Sequence, residues 1–281
     1  MSNNAKIDLS DQIKYTIIDQ KVTIIGYKGE PEYIVIPDTI EGHPVTEIRD
    51  NSFYNCSTLK QIQLPDTLTL IGHHCFYGCT SLEGIDLPES VSEIGMGCFC
   101  KCSNLSYVVL PSKLKVIPDS CFRYCNSLKS AELPESIVSI DKFAFSCCTD
   151  LDSVTLDSSL VSIGDYAFFM CDSLKNISIP ESVTCFGNEA IGYHPVPSGH
   201  SVISDLKITC DKDSAAYDYA QSNAIELSYG TESSAALDSL NNCKLPIDVP
   251  DFFFWSGLIL LTAALISVFI SQRKKKKRSR F

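Results

Sequence analysis

Residues 53–76 read Phe-Tyr-Asn-Cys-Ser-Thr-Leu-Lys-Gln-Ile-Gln-Leu-Pro-Asp-Thr-Leu-Thr-Leu-Ile-Gly-His-His-Cys-Phe. The phenylalanines at its two ends stand 23 residues apart, and that interval continues through Phe99, Phe122, Phe145 and Phe168 without a slip. Three residues after each phenylalanine comes a cysteine, Cys56 to Cys171, and six after it a leucine, Leu59 to Leu174. Nine and eleven after it lie apolar pairs, from Ile62 with Leu64 to Ile177 with Ile179. Proline follows at 65, 88, 111, 134 and 180, and Asp157 is the exception. A second apolar pair, such as Leu68 with Ile71, closes each unit. A period of this length marks a repeat architecture.

The pattern of one unit dictates its local structure. Apolar residues two apart, as in Gln61-Ile62-Gln63-Leu64, predict a short strand with one buried face. Proline ends it, having no N–H for the next rung. A second extended piece, Thr67 to Ile71, turns at Gly72 into a Phe-x-x-Cys turn of helical spacing. One unit cannot bury its own apolar edge, so the units stack, with parallel strands about 4.8 Å apart.

These residues resemble the BspA-like, type 5 leucine-rich repeat, most closely in Ile163-Gly164-Asp165-Tyr166-Ala167-Phe168-Phe169-Met170-Cys171-Asp172-Ser173-Leu174 and in Ile140 to Leu151. The resemblance covers residues 13 to 229. It departs at Cys75, Cys98 and Cys121, where the family has alanine, at Asp157 for proline, and at Phe186 for isoleucine. It implies a curved, right-handed leucine-rich-repeat solenoid of 23-residue coils, mainly β with short helical turns and exposed strands on one side. Members are known mainly as bacterial and protist surface proteins that bind partners.

Both ends of such a rod need caps. Tyr15 to Ile18 and Lys21 to Ile25, separated by Asp19-Gln20, predict a hairpin within an N-terminal cap of residues 1–36. Tyr33 to Pro37 reads as a first degenerate coil, and Glu41-Gly42-His43-Pro44-Val45 lengthens the next turn. The solenoid proper is expected over 37–193. After Phe186 the period fails; Tyr193 to Gly199 reads as a loop, Leu206 to Cys210 as a strand, Ser214 to Asn223 as a helix capped by Asp213, and Ile225 to Ser228 as a strand. These form an expected C-terminal cap, 194–229. Residues 230–251, rich in Ser, Asp, Asn and Pro, read as a linker.

The chain's 281 residues are 44% hydrophobic and 20% charged, which excludes disorder, and its formal charge is −11. Seven of 23 basic side chains lie in residues 271–281, leaving 16 positive and 34 negative groups, a net of −18, before that tail. An acidic body is a poor polyanion ligand, so no nucleic-acid partner is expected. Residues 252–270 carry no charge and as a helix would span about 28 Å, close to a hydrocarbon core. Trp255 sits at the outer boundary, and Arg273, Lys274 and the basic run to Arg280 place residues 271–281 in the cytoplasm and the solenoid outside. Residues 1 to 20 have no apolar core to serve as a signal peptide. Three alternatives follow: a leader removed upstream, unconventional export, or a tail-anchored protein with a cytosolic solenoid. Leu245 to Val249 read Leu-Pro-Ile-Asp-Val, which lacks the Thr-Gly of a wall-sorting signal, so a retained transmembrane anchor is the reading.

The 14 cysteines sort into the six-member column, three more before the phenylalanine (Cys75, Cys98, Cys121) and five scattered ones. In the columns a buried cysteine is a small apolar spacer. Cys98, Cys100 and Cys102 near His73-His74 match no common zinc pattern. No phosphate loop, His-Glu-x-x-His or predictable catalytic constellation surrounds His43, His73, His74, His194 or His200. Neither catalysis, a metal nor a cofactor is expected. The sequons at Asn55, Asn104 and Asn176 coincide with the repeat consensus. The outward positions of the first strands are Gln61 and Gln63, Gly84 and Asp86, Tyr107 and Val109, Ser130 and Glu132, Ser153 and Thr155, Asn176 and Ser178. Tyr107 and Val109, flanked by Asp86 and Glu132, are therefore the candidate contact surface for a protein or glycan partner. The competing expectation is a passive spacer or scaffold at the membrane.

Overall fold

The chain enters the fold through an antiparallel hairpin, β1 (Ile13–Ile18) and β2 (Lys21–Tyr27). Its two turn residues, Asp19 (φ 50°) and Gln20 (φ 60°), are both left-handed, the turn geometry whose twist matches that of paired strands. Strand β3 (Tyr33–Val35) follows, and then a second tight hairpin of β4 (Thr39–Ile40) and β5 (His43–Ile48). Glu41 and Gly42, expected to lengthen a turn, form that hairpin's left-handed tip at φ 53° and 79°. The computed structural model describes residues 13–229.

Each subsequent unit contributes two strands: β6 (Gln61–Gln63) and β7 (Leu70–Ile71), β8 (Gly84–Asp86) and β9 (Glu93–Ile94), β10 (Tyr107–Val109) and β11 (Val116–Ile117). Then come β12 (Ser130–Glu132) and β13 (Ser139–Ile140), β14 (Ser153–Thr155) and β15 (Ser162–Ile163), β16 (Asn176–Ser178) and β17 (Cys185–Phe186). They wind a mainly β, right-handed-type solenoid of about nine turns. The proline turn between the two strands is closed by the N–H three residues on, as from Leu68 to the Pro65 carbonyl at 3.1 Å. Asp157 preserves that bond, with Leu160 at 3.1 Å, and its Oδ1 accepts from the Ser159 N–H at 3.4 Å. A short polar side chain thus shapes the turn where the ring is missing.

The second strands form long ladders, β2-β5-β7-β9 and β11-β13-β15-β17. The first strands pair only as β3–β6, β8–β10 and β12–β14, while β16 joins the C-terminal strands. The first strands, expected to stack in parallel from coil to coil, therefore form a row of separate short ladders. Three-residue strands offer so few rungs that a small fanning of neighbouring coils removes them.

Phe53, Phe76, Phe99, Phe122, Phe145 and Phe168 are fully buried in one column, with successive ring centroids 5.2 to 5.5 Å apart. Tyr27 stacks on Phe53 at 5.7 Å and closes the column's N-terminal end. The Phe-x-x-Cys turn is not a helix. It is closed by one bond, from the cysteine N–H to the phenylalanine carbonyl, and each phenylalanine N–H donates to the coil that follows, as from Phe99 to Cys121 O at 2.9 Å. The cysteine is more than the apolar spacer expected of it. Sγ of Cys79, Cys102, Cys125, Cys148 and Cys171 donates to the phenylalanine carbonyl of the preceding coil at 3.1 to 3.2 Å.

Past β17 the structure departs from the expected loop. Tyr193 to Val202 form an antiparallel hairpin, β18 (Tyr193–Val196) and β19 (Gly199–Val202); its prolines at 195 and 197 disguise the strand pattern in the sequence. Strand β20 (Lys207–Cys210), helix α1 (Ala215–Ser222) and β21 (Glu226–Tyr229) complete the end, with β20 and β21 extending the sheet begun by β16. Ser214, not Asp213, caps α1: its side chain accepts from Tyr217 N–H, while Asp213 sits outside at φ 69°. Among the described residues no helix is long and apolar enough to cross a membrane. The expected span at 252–270 lies outside them.

Candidate functional site

Along most first strands the middle residue is buried and its neighbours point outward, as in Ile62 between Gln61 and Gln63 or Ala131 between Ser130 and Glu132; Val108, between Tyr107 and Val109, is half-buried. Tyr107 is 50% and Val109 51% exposed. In the β8–β10 ladder Tyr107 faces Gly84 and Val109 faces Asp86. Asp86 thus stands directly beside Val109. Glu132 is exposed on β12 but is in register with Thr155, across the break from β10.

Gly84, expected to be outward and open, is buried. A Cβ there would collide with Cδ1, Cε1 and Cζ of Tyr107. The glycine therefore lets the Tyr107 ring lie over the β8 backbone, one face on the chain and the other toward solvent. An aromatic ring held this way offers rigid area with a polar tip.

The same side carries a second such pair that the strand-column reading passed over. Tyr33 and Val35 on β3 are 58% and 42% exposed. Strand β3 pairs with β6, so Tyr33 lies beside Gln61 and Val35 beside Gln63. Three strand spacings separate the two pairs, roughly 14 Å. The signal was available, because Tyr33-Ile34-Val35 repeats the Tyr-x-Val order of 107–109; the irregular length of the first coils hides its phase.

The other singled-out side chains serve the coils themselves. Nδ1 of His73 accepts the Met96 N–H at 2.9 Å. His194 lies 3.5 Å from Asp172 and His200 2.5 Å from Glu189. Burial, and next the adjacent His73, hold the pKa of His74 below its ordinary value. Cys98 and Cys102 are buried and their thiols are pushed well up by burial. Cys100 is pushed up to about 11, burial outweighing the pull of Arg123 and Lys101. Among the described residues no three His, Cys, Asp or Glu side chains are grouped to hold a metal. Trp255, Arg273 and Lys274 lie outside the described residues.

The repeat columns, the coil geometry and the comparisons converge. Residues 27–126 and 92–204 match the family described as BspA type leucine rich repeat region, in six copies. The chain belongs to that family. Among solved structures it is similar to the T. pallidum leucine rich repeat protein, with 33% identity and a TM-score of 0.57 over 62% of this chain and 83% of that one. It is also similar to a leucine rich cell surface protein from Faecalibacterium prausnitzii, with 25% identity and a TM-score of 0.56 over 71% of this chain and 69% of that one. A leucine-rich repeat protein from Bacteroides ovatus shares the fold at 24% identity and a TM-score of 0.50, over 79% of this chain and 67% of that one. No curated protein matches. Leucine-rich repeat proteins of this surface type typically bind proteins or other ligands.

Proposed function

We propose that this chain is a membrane-anchored surface protein whose solenoid binds a macromolecular partner, a protein or glycan, through the outward face of its first strands. The observation that carries the reading is the pair of half-exposed Tyr-x-Val strands, Tyr33 with Val35 and Tyr107 with Val109, on one face. A spacer has no use for rigid aromatic and apolar side chains displayed together, whereas interface anchors are enriched in them. Asp86 and Glu132 supply a polar rim around Tyr107 and Val109. The likeness to a cell surface protein supports an exported location. The anchor rests on the uncharged segment 252–270 and the basic tail, in the manner of a single-pass span with a positive cytoplasmic flank.

The test is retention of partners from a panel of immobilised surface proteins and glycans. Tyr107→Ala with Val109→Ser weakens the retained partner at least about tenfold, or about 1.4 kcal/mol, without changing the melting curve. Retention of every partner by the double variant rules out this face. A wild-type chain that retains nothing favours the spacer.

A further inference from the structure

On the outside of the turns that hold the core phenylalanines runs a second ladder of side chains. Tyr54 stacks on Tyr77 with centroids 4.8 Å apart, and Lys101 Nζ lies 5.2 Å from the Tyr77 ring centre. Arg123 is held between two rings, with its guanidinium carbon 5.1 Å from the centre of Tyr124 and 4.7 Å from that of Phe143. Phe143 in turn stacks on Tyr166 at 5.2 Å, and Tyr166 meets Phe169 edge-on at 5.6 Å. Within the ladder Tyr77 and Phe143 each meet a ring and a cation, and Tyr54 at its end is 43% exposed.

Arg123 has an unusual position within this ladder. Its Nε is buried and has no acceptor, while neither terminal nitrogen is buried without a partner. Among the described residues no carboxylate pairs with it, although Lys142 one coil on is paired with Asp119 at 3.5 Å. A planar guanidinium already fixed between two rings, with its outer nitrogens toward solvent, is a preorganised fork for a carboxylate.

Charge and backbone point the same way. Residues 101–142 hold six basic and four acidic side chains, whereas 13–100 hold five and twelve, and 143–229 three and twelve. The middle of an acidic rod is thus a positive band, and Lys101 and Arg123 lie on its turn side. In addition, Lys101, Tyr124, Phe143 and Tyr166 all adopt left-handed backbone at φ 56° to 64°. Gly78 and Asn55 occupy the column of Lys101 and Tyr124, and Gly97 and Asn51 that of Phe143 and Tyr166. A bulky residue in that conformation costs about 1 to 2 kcal/mol. The large side chains are kept where small ones would be easier to accommodate.

We propose that this turn-side edge, centred on Arg123, is a docking surface for an acidic segment of a protein partner. A glutamate or aspartate carboxylate of the partner takes the Arg123 fork, Lys101 supplies a second positive contact, and an apolar neighbour packs against the exposed Tyr54; Tyr166 and Phe169 are already covered by His200. A guanidinium fork within a positive band favours a carboxylate over a neutral sugar. The surface is separate from the first-strand face and does not depend on that reading.

The experiment measures fluorescence anisotropy of a labelled Glu-Phe-Glu-Glu-Phe-Glu peptide with the full-length chain in a nonionic detergent. The same peptide with glutamine for glutamate, and a heparin oligosaccharide, serve as the other probes. The glutamate peptide binds, and the glutamine peptide is weaker by at least about tenfold. Arg123→Lys keeps the charge but loses the fork, and weakens the glutamate peptide by about fivefold or more. Lys101→Gln weakens it less, and Tyr107→Ala with Val109→Ser leaves it unchanged. Arg123→Gln abolishes it; if that variant melts early, Arg123→Lys and Lys101→Gln carry the test. Equal binding of the two peptides, or an Arg123→Lys chain that binds like wild type, overturns the proposal. Arg123-dependent binding of heparin in place of the peptide also overturns it, and identifies a sulfated glycan instead.

Discussion

At Cys125 the thiol has two tasks: it fills a fully buried site in the turn, and its Sγ donates to the Phe99 carbonyl of the coil before at 3.1 Å. Only a small apolar side chain with a weak donor meets both needs. The same arrangement at Cys79, Cys102, Cys148 and Cys171 ties adjacent coils together through side chains as well as backbone. Burial pushes all five thiols up, and this sets the sign of a pH effect. The unfolded chain loses these protons above about pH 8.5 while the folded chain keeps them, so stability is full below that pH and falls as pH rises. Five thiols give a slope of up to about 7 kcal/mol per pH unit. Urea midpoints measured from pH 7 to 10 are expected to hold until about pH 8.5 and then drop steeply. A flat profile would show that the thiols titrate freely in the folded state. Rapid alkylation of the native column at pH 8 would show the same.

The elements at the C-terminal end show how a coil is terminated when no further repeat follows. Ile191 occupies the position of the next core phenylalanine and bridges Phe168. Its N–H and carbonyl would be met by the next coil's carbonyl and thiol, but Tyr219 on α1 replaces both. The Tyr219 hydroxyl accepts from Ile191 N–H at 2.9 Å and donates to Ile191 O at 3.2 Å. Its ring stacks on Phe186 at 4.6 Å, and burial pushes its pKa far up. Tyr219→Phe keeps the ring and strands two backbone groups, which costs about 2 to 4 kcal/mol. The expected result is a lower denaturant midpoint with faster hydrogen exchange at the Ile191 amide. An unchanged midpoint would mean that water takes the place of the hydroxyl.

For the whole molecule, the membrane reading makes a topological prediction. On the proposed topology, in which the seven basic residues of the tail face the cytoplasm, protease added to intact cells is expected to remove the solenoid and to spare an epitope placed after Phe281. A protected solenoid would instead favour the tail-anchored alternative. The sequence alone determined the coil, since a 23-residue spacing of Phe, Cys and Leu leaves each unit's apolar edge unburied unless the units stack. It also located the Tyr107–Val109 pair, because the period assigns each strand residue to one face. Only the tertiary structure decided what depends on neighbours a whole coil away. It showed that Gly84 is covered by Tyr107 and that the Cys125 thiol is bonded to Phe99. It also showed that Arg123 is clamped between Tyr124 and Phe143, and that the prolines at 195 and 197 lie in and beside a hairpin and do not mark a loop. The periodic signal records which side of the coil a residue takes. What it meets there is set by side chains of adjacent coils, and these vary from unit to unit without altering the period.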